Sequence, residues 1–129
     1  MPLREVIRPK GFPKPLAPYS AAIKVGNVVH VSGMVALDAQ GNLVGPNDCA
    51  RQTRHVLDLI RSILDEAGGL LTHIAYNHIC IRDLADYAAM NAVYSEYFPE
   101  NPPARYCIRA DLVRPEFLVE IGSVAYLSP

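Results

Sequence analysis

Tryptophan is absent from these 129 residues, and cysteine is scarce: only Cys49, Cys80 and Cys107. An odd number of widely separated thiols argues against a disulfide framework and against a zinc knuckle. There is no lysine or arginine run. Twelve basic and 13 acidic residues are interspersed, for a formal net charge of −1. The electrostatic footprint of a nucleic-acid binder is missing, so no nucleic-acid partner is expected. No stretch approaches the ~20 apolar residues of a membrane span, so no membrane partner is expected either. The opening Met1-Pro2-Leu3-Arg4-Glu5-Val6 has no apolar signal-peptide core, which points to the cytoplasm. His30, His55, His73 and His78 show no metal-ligand spacing, so no metal is expected.

What is present is apolar. Half of the chain is hydrophobic, which suits one globular domain over 1–129 with a substantial core. Arg4–Arg8 reads as a short edge strand, followed by a proline-rich loop from Lys10 to Pro18. Ala21–Val25 and Val28–Ser32 flank Gly26-Asn27, a hairpin signal, with Ser32-Gly33 ending the second run. A glycine at 33 permits close approach by another group. Asn47 or Asp48 can cap a helix ending at Gly68-Gly69. Its apolar stripe is Val56, Ile60, Ile63, Leu64 and Ala67. Ile74–Arg82 reads as a strand. Asp83 can cap a helix over Leu84–Phe98, and Tyr87, Met90, Tyr94, Tyr97 and Phe98 form an aromatic stripe expected to pack on a sheet. Ala104–Arg109 and Leu118–Leu127 read as the last strands.

The expected architecture is α+β: a mixed sheet of about six strands with two helices on one face. Val29, Val31, Val119 and Ile121 are expected to burden the other face. At ~25 cal/mol per Å² their solvation is costly, so self-association is expected to cover them.

Two strands each carry a charge among apolar neighbours. Arg105 and Cys107 are two residues apart and share a face in a strand. Glu120 sits inside Phe117-Leu118-Val119-Glu120-Ile121, and charges are seldom buried without a partner. A guanidinium, a thiol and a carboxylate converging on one pocket can bind a small carboxylate and activate water. A structural Arg105–Glu120 ion pair beside a buried thiol explains the same residues equally well. No sequence-local base supports Cys107 as a nucleophile. Tyr19 either offers a phenol to the pocket or caps it, and Ser32 either donates a hydroxyl or ends a strand. Asn91 is a mediocre helix former within a helix.

Pro18-Tyr19-Ser20, Val31-Ser32-Gly33, Gln52-Thr53-Arg54, Asn91-Ala92-Val93-Tyr94, Pro103-Ala104-Arg105 with Cys107, and Leu118-Val119-Glu120-Ile121 follow one another in order. In this the chain resembles the RidA/YjgF family of enamine/imine deaminases. His55 after the Thr53-Arg54 pair and Tyr106 between Arg105 and Cys107 resemble the members that act on 3-aminoacrylate in uracil degradation. Many family deaminases carry Gln where this chain has Met34. The resemblance implies a chorismate-mutase-like fold, a homotrimer with sites between subunits, no cofactor, and a small carboxylate-bearing enamine or imine as substrate. It implies Arg105 and Glu120 as catalytic residues, and Arg105, Cys107, Tyr19, Ser32 and Asn91 as substrate-binding ones. The alternatives are a broad 2-aminoacrylate-type or a 2-aminomuconate-type deaminase, Arg109 supplying the latter's second cation. A non-catalytic metabolite-binding or chaperone-like trimer is the alternative of another class.

Overall fold

The computed structural model describes residues 3–128. Six strands and two helices follow one another as β1 (Glu5–Ile7), β2 (Ala22–Val25), β3 (Val28–Met34), α1 (Cys49–Ala67), β4 (Ile74–Ile81), α2 (Tyr87–Tyr97), β5 (Ala104–Arg109) and β6 (Val119–Tyr126). They form one mixed sheet in the order β1-β2-β3-β6-β4-β5. All neighbours are antiparallel except β4 and β5. That parallel pair needs a crossover, and α2 supplies it.

Local chemistry sets the helix ends. Asp48 caps α1, its carboxylate accepting from the Arg51 amide at 3.0 Å. Gly68 ends it at φ 87°, a left-handed position that glycine adopts without strain. The stripe Val56, Ile60, Ile63, Leu64 and Ala67 is buried, as its spacing requires. Asp83 caps a 3₁₀ turn, Leu84–Asp86, and α2 begins only at Tyr87, three residues later than expected. Of the aromatic stripe, Met90, Tyr94 and Phe98 are buried, whereas Tyr87 is exposed and the Tyr97 hydroxyl bonds Asp58 on α1 at 2.7 Å.

Two expectations about the sheet need correction. Strand β3 does not stop at Ser32-Gly33. It runs to Met34, and its register against β6 shifts between Val31 and Met34. That bulge re-aims the end of the strand. Val29, Val31, Val119 and Ile121 do not load the uncovered face. All four are buried in the main core beneath the helices, each adding about 1.5–3 kcal/mol of burial.

The face away from the helices instead carries His30, Tyr76, His78, Tyr106, Ile108, Glu120 and Val124. Tyr76, His78 and Tyr106 form an aromatic cluster, with His78 centred 4.9 Å from Tyr76 and 5.2 Å from Tyr106. Tyr106 and Ile108 are 41% and 49% exposed on β5, whose outer edge pairs with no other strand among the described residues.

Candidate active site

Arg105 lies on edge strand β5, on the face that α2 covers. Its Nη2 donates to Asn91 Oδ1 at 2.8 Å and to the Tyr87 hydroxyl at 3.2 Å. Its guanidinium lies 4.8 Å from the centre of the Tyr94 ring, a cation–π contact. Tyr94 is held in turn from within the core. Asn77 on β4 donates to the Tyr94 hydroxyl at 2.8 Å, and Ser123 on β6 donates to Asn77 Oδ1 at 2.6 Å. Asn77 and Ser123 are both buried. This buried chain, Ser123 to Asn77 to Tyr94, fixes the platform on which the arginine rests. Burial pushes the Tyr94 phenol up, while Asn77 and Arg105 pull it back.

Cys107 follows on the same face, as the alternation of a strand requires. Burial raises its thiol above the ordinary 9.0, and Arg105 lowers it only in part. It is a thiol at neutral pH, with the weak nucleophilicity that implies.

Glu120 stands on the opposite face. On β6, Val119, Ile121, Ser123 and Ala125 turn into the core, so Glu120 turns away from it. Its neighbour on β3 is Gly33, and the approach is close: a Cβ at Gly33 would lie 2.6 Å from Glu120 Oε2. Glycine leaves room for the carboxylate where it stands, and a side chain there would push it aside. A cleft beside it is lined by Leu16, Tyr19, Ser32, Gly33 and Val113. Burial alone raises the Glu120 carboxyl above the ordinary carboxylate range. The Ser32 hydroxyl donates to the Ser20 carbonyl at 2.6 Å, so it offers a ligand lone pairs and no proton. Tyr19 is 43% exposed at the cleft.

The expected residues are therefore present in two groups, not one. Arg105 with Asn91 and Cys107 forms the first; Glu120 with Tyr19 and Ser32 forms the second. Within one chain Arg105, Cys107 and Glu120 do not converge. Arg105 is in register with Asn77 on β4, and Glu120 is in register with Cys80, also on β4. At about 4.8 Å between strands and 3.3 Å per residue, their Cα atoms are about 14 Å apart, and the side chains leave opposite faces. The structural Arg105–Glu120 ion pair is likewise absent: among the described residues the salt bridges are Arg54–Glu96, Arg61–Asp58 and Arg82–Asp111.

Sequence reading missed the support beneath these groups. Gln52 is buried and donates to the carbonyls of Gly45 and Glu116, each at 3.0 Å, while its Oε1 accepts from the Leu118 amide at 2.9 Å. It ties the loop before α1 to the entry of the Glu120 strand. Thr53 bonds the Cys49 carbonyl, and Arg54 makes a fork with Glu96 on α2 at 2.9 and 3.2 Å. The Gln52-Thr53-Arg54 motif thus builds the frame and not the pocket. Asn77 had a legible signal, being an amide on the strand face it shares with Ile79 and Ile81.

The chain matches the family described as Endoribonuclease L-PSP over residues 10–127. It is 53% identical over 124 residues to the 3-aminoacrylate deaminase RutC of Acinetobacter baylyi, covering 96% of this chain and 98% of that one. The crystal structure of RidA from an Antarctic Psychrobacter is 30% identical, covers 95% of this chain and 99% of its own, and superposes with a TM-score of 0.88. The Escherichia coli protein TdcF, solved with bound serine, is 27% identical with a TM-score of 0.88, covering 96% of this chain and 99% of its own.

Proposed function

The chain belongs to the Rid family, described as Endoribonuclease L-PSP, and from that membership we propose that it hydrolyses 3-aminoacrylate to malonic semialdehyde and ammonia. The observation that carries this reading over an RNA-cleaving one is the 53% identity to a 3-aminoacrylate deaminase along nearly the whole chain.

The reaction asks three things of a protein, and the two groups divide them. The substrate carboxylate needs a fixed cation, which Arg105 provides on its Tyr94 platform. A solvent proton added to the carbon next to the carboxylate turns the enamine into the iminium, which needs a water at its electrophilic carbon. Glu120 takes a proton from that water as the C–O bond forms, giving a carbinolamine. It then returns the proton to nitrogen as the C–N bond breaks and ammonia leaves, and the hydroxyl proton goes back to solvent as the C=O bond forms. Water and enamine go in; aldehyde and ammonia come out. A carboxylate raised by burial is a better base for this than an ordinary one.

Because the groups stand on opposite faces, the substrate site is completed by a second copy: the Arg105 group of one subunit meets the Glu120 group of its neighbour. The exposed Tyr106 and Ile108, the aromatic cluster and the unpaired edge of β5 support assembly through this face. The assembly is a homotrimer with three such clefts, acting in the cytoplasm in pyrimidine degradation.

The test is ammonia release from freshly generated 3-aminoacrylate, together with sedimentation. Arg105→Ala should abolish productive binding, and Arg105→Lys should restore only part of it, because an ammonium cannot reproduce the planar fork. Full activity in both variants removes Arg105 from the site. A stable monomer at micromolar concentration that still turns over refutes the shared cleft.

A further inference from the structure

The guanidinium of Arg105 is already partly occupied. Nη2 carries two hydrogens. One goes to Asn91 Oδ1 at 2.8 Å and the other to the Tyr87 hydroxyl at 3.2 Å. Nε and Nη1 have no hydrogen-bond partner among the described residues. A carboxylate fork takes one hydrogen from each of two nitrogens, pairing Nη2 with Nη1 end-on or Nη2 with Nε side-on. Either fork needs an Nη2 hydrogen, so one of the two holders must yield. Asn91 makes the shorter bond and is half-buried. Tyr87 makes the longer one and is 44% exposed.

Tyr87 is also the holder with something to offer in exchange. In the free site its oxygen accepts from Arg105, and its own proton has no acceptor among the described residues. Its ring centre lies 5.9 Å from the guanidinium carbon, so the phenol stays at the arginine when the bond is released. We propose that Tyr87 is a second carboxylate ligand and a specificity-determining residue. It gives up the Nη2 hydrogen when the substrate arrives and donates its own O–H to the same carboxylate. Asn91 keeps the guanidinium in place through the exchange. The pair of donors rewards a ligand group that accepts at both oxygens. A carboxylate does so, whereas a carboxamide presents a donor at one position and meets an N–H or O–H there. This rests on the assignment of Arg105 as the carboxylate anchor.

Tyr87→Phe keeps the ring and removes only the hydroxyl, on an exposed residue whose loss of one atom leaves the fold intact. The expected result is a KM for 3-aminoacrylate several-fold higher, up to about tenfold, because the variant loses a hydrogen bond to the carboxylate but no longer breaks one to Nη2 on binding, with kcat within twofold of the parent. Competitive inhibition by propionate should weaken by the same factor, and inhibition by propionamide should not. Unchanged KM and unchanged propionate inhibition overturn the inference, as does a loss confined to kcat. Arg105→Ala runs alongside. If it abolishes activity while Tyr87→Phe is silent, the role of Tyr87 alone falls. If Arg105→Ala is silent as well, the anchor itself is misassigned.

Discussion

Gly33→Ala perturbs the site through a single methyl group. The added Cβ would lie 2.6 Å from Glu120 Oε2, 2.8 Å from Cδ and 3.0 Å from Cγ. An ordinary contact begins near 3.4 Å, so the carboxylate must retreat by about 0.8 Å. Rotation at the end of a flexible side chain relieves part of this. Because Cγ is also too close, the whole carboxyl group must swing rather than merely turn. Gly33 has an ordinary negative-φ backbone, so alanine brings no conformational strain of its own. The cost to stability is therefore small, about 1 kcal/mol or less. The cost to chemistry is not. A displacement approaching 1 Å of a group that must meet a water costs up to about 10²-fold in rate. Gly33→Ala should lower kcat for 3-aminoacrylate by about 10–10²-fold while leaving the affinity for propionate, which depends on Arg105, within about threefold. The assay is ammonia release beside calorimetric titration and a melting curve, all on one preparation. A kcat within twofold of the parent, at an unchanged melting temperature, refutes both the contact and the role given to Glu120.

Glu120→Gln should cut turnover by roughly 10²–10⁴-fold, the usual worth of general acid–base help, with propionate binding nearly unchanged. Its effect on stability has a definite sign. Burial raises the carboxyl in the folded chain, so the folded chain binds more protons from the ordinary glutamate value of 4.5 upward to the raised value. Stability therefore falls as pH rises through that window, and the penalty persists at neutral pH. The glutamine variant escapes it and should melt no lower than the parent at pH 7, with the difference closing below pH 4.5; a variant that melts much lower at pH 7 restores an ion-pair role. Gln52→Ala strips three hydrogen bonds from a buried site and orphans the Leu118 amide. It should cost about 3–5 kcal/mol in a denaturant titration at fixed protein concentration, and a loss under about 1 kcal/mol would mean the loops hold without it.

The elements were legible because each rests on local chemistry. The Asp48 cap, the Gly68 stop and the stripe from Val56 to Ala67 fix α1 within a residue. Gly26-Asn27 marks the hairpin of β2 and β3. The start of α2 was less legible, since Asp83, accepting from the Ala85 amide, caps a 3₁₀ turn as readily as an α-helix. Arg105 and Glu120 stood out because each is a charge in a largely apolar run, and apolar runs tolerate such groups only under constraint; Tyr19, Ser32 and Asn91 were singled out by the family resemblance.

The sequence by itself determined which residues are candidates for the chemistry, what each strand presents on alternate faces, and hence that Arg105 and Cys107 travel together. Only the tertiary structure decided where those faces meet. Which face of a strand is inward depends on which side the helices dock, and a strand's period of two is silent on that choice. Hence Val29, Val31, Val119 and Ile121 went under the helices, and Glu120 went to the other side of the sheet from Arg105. The spacing along β4 that separates them, and the Ser123–Asn77–Tyr94 chain that fixes one of them, join residues up to 46 positions apart in the chain. Contacts of that range arise from strand order and register, which no local pattern of residues encodes.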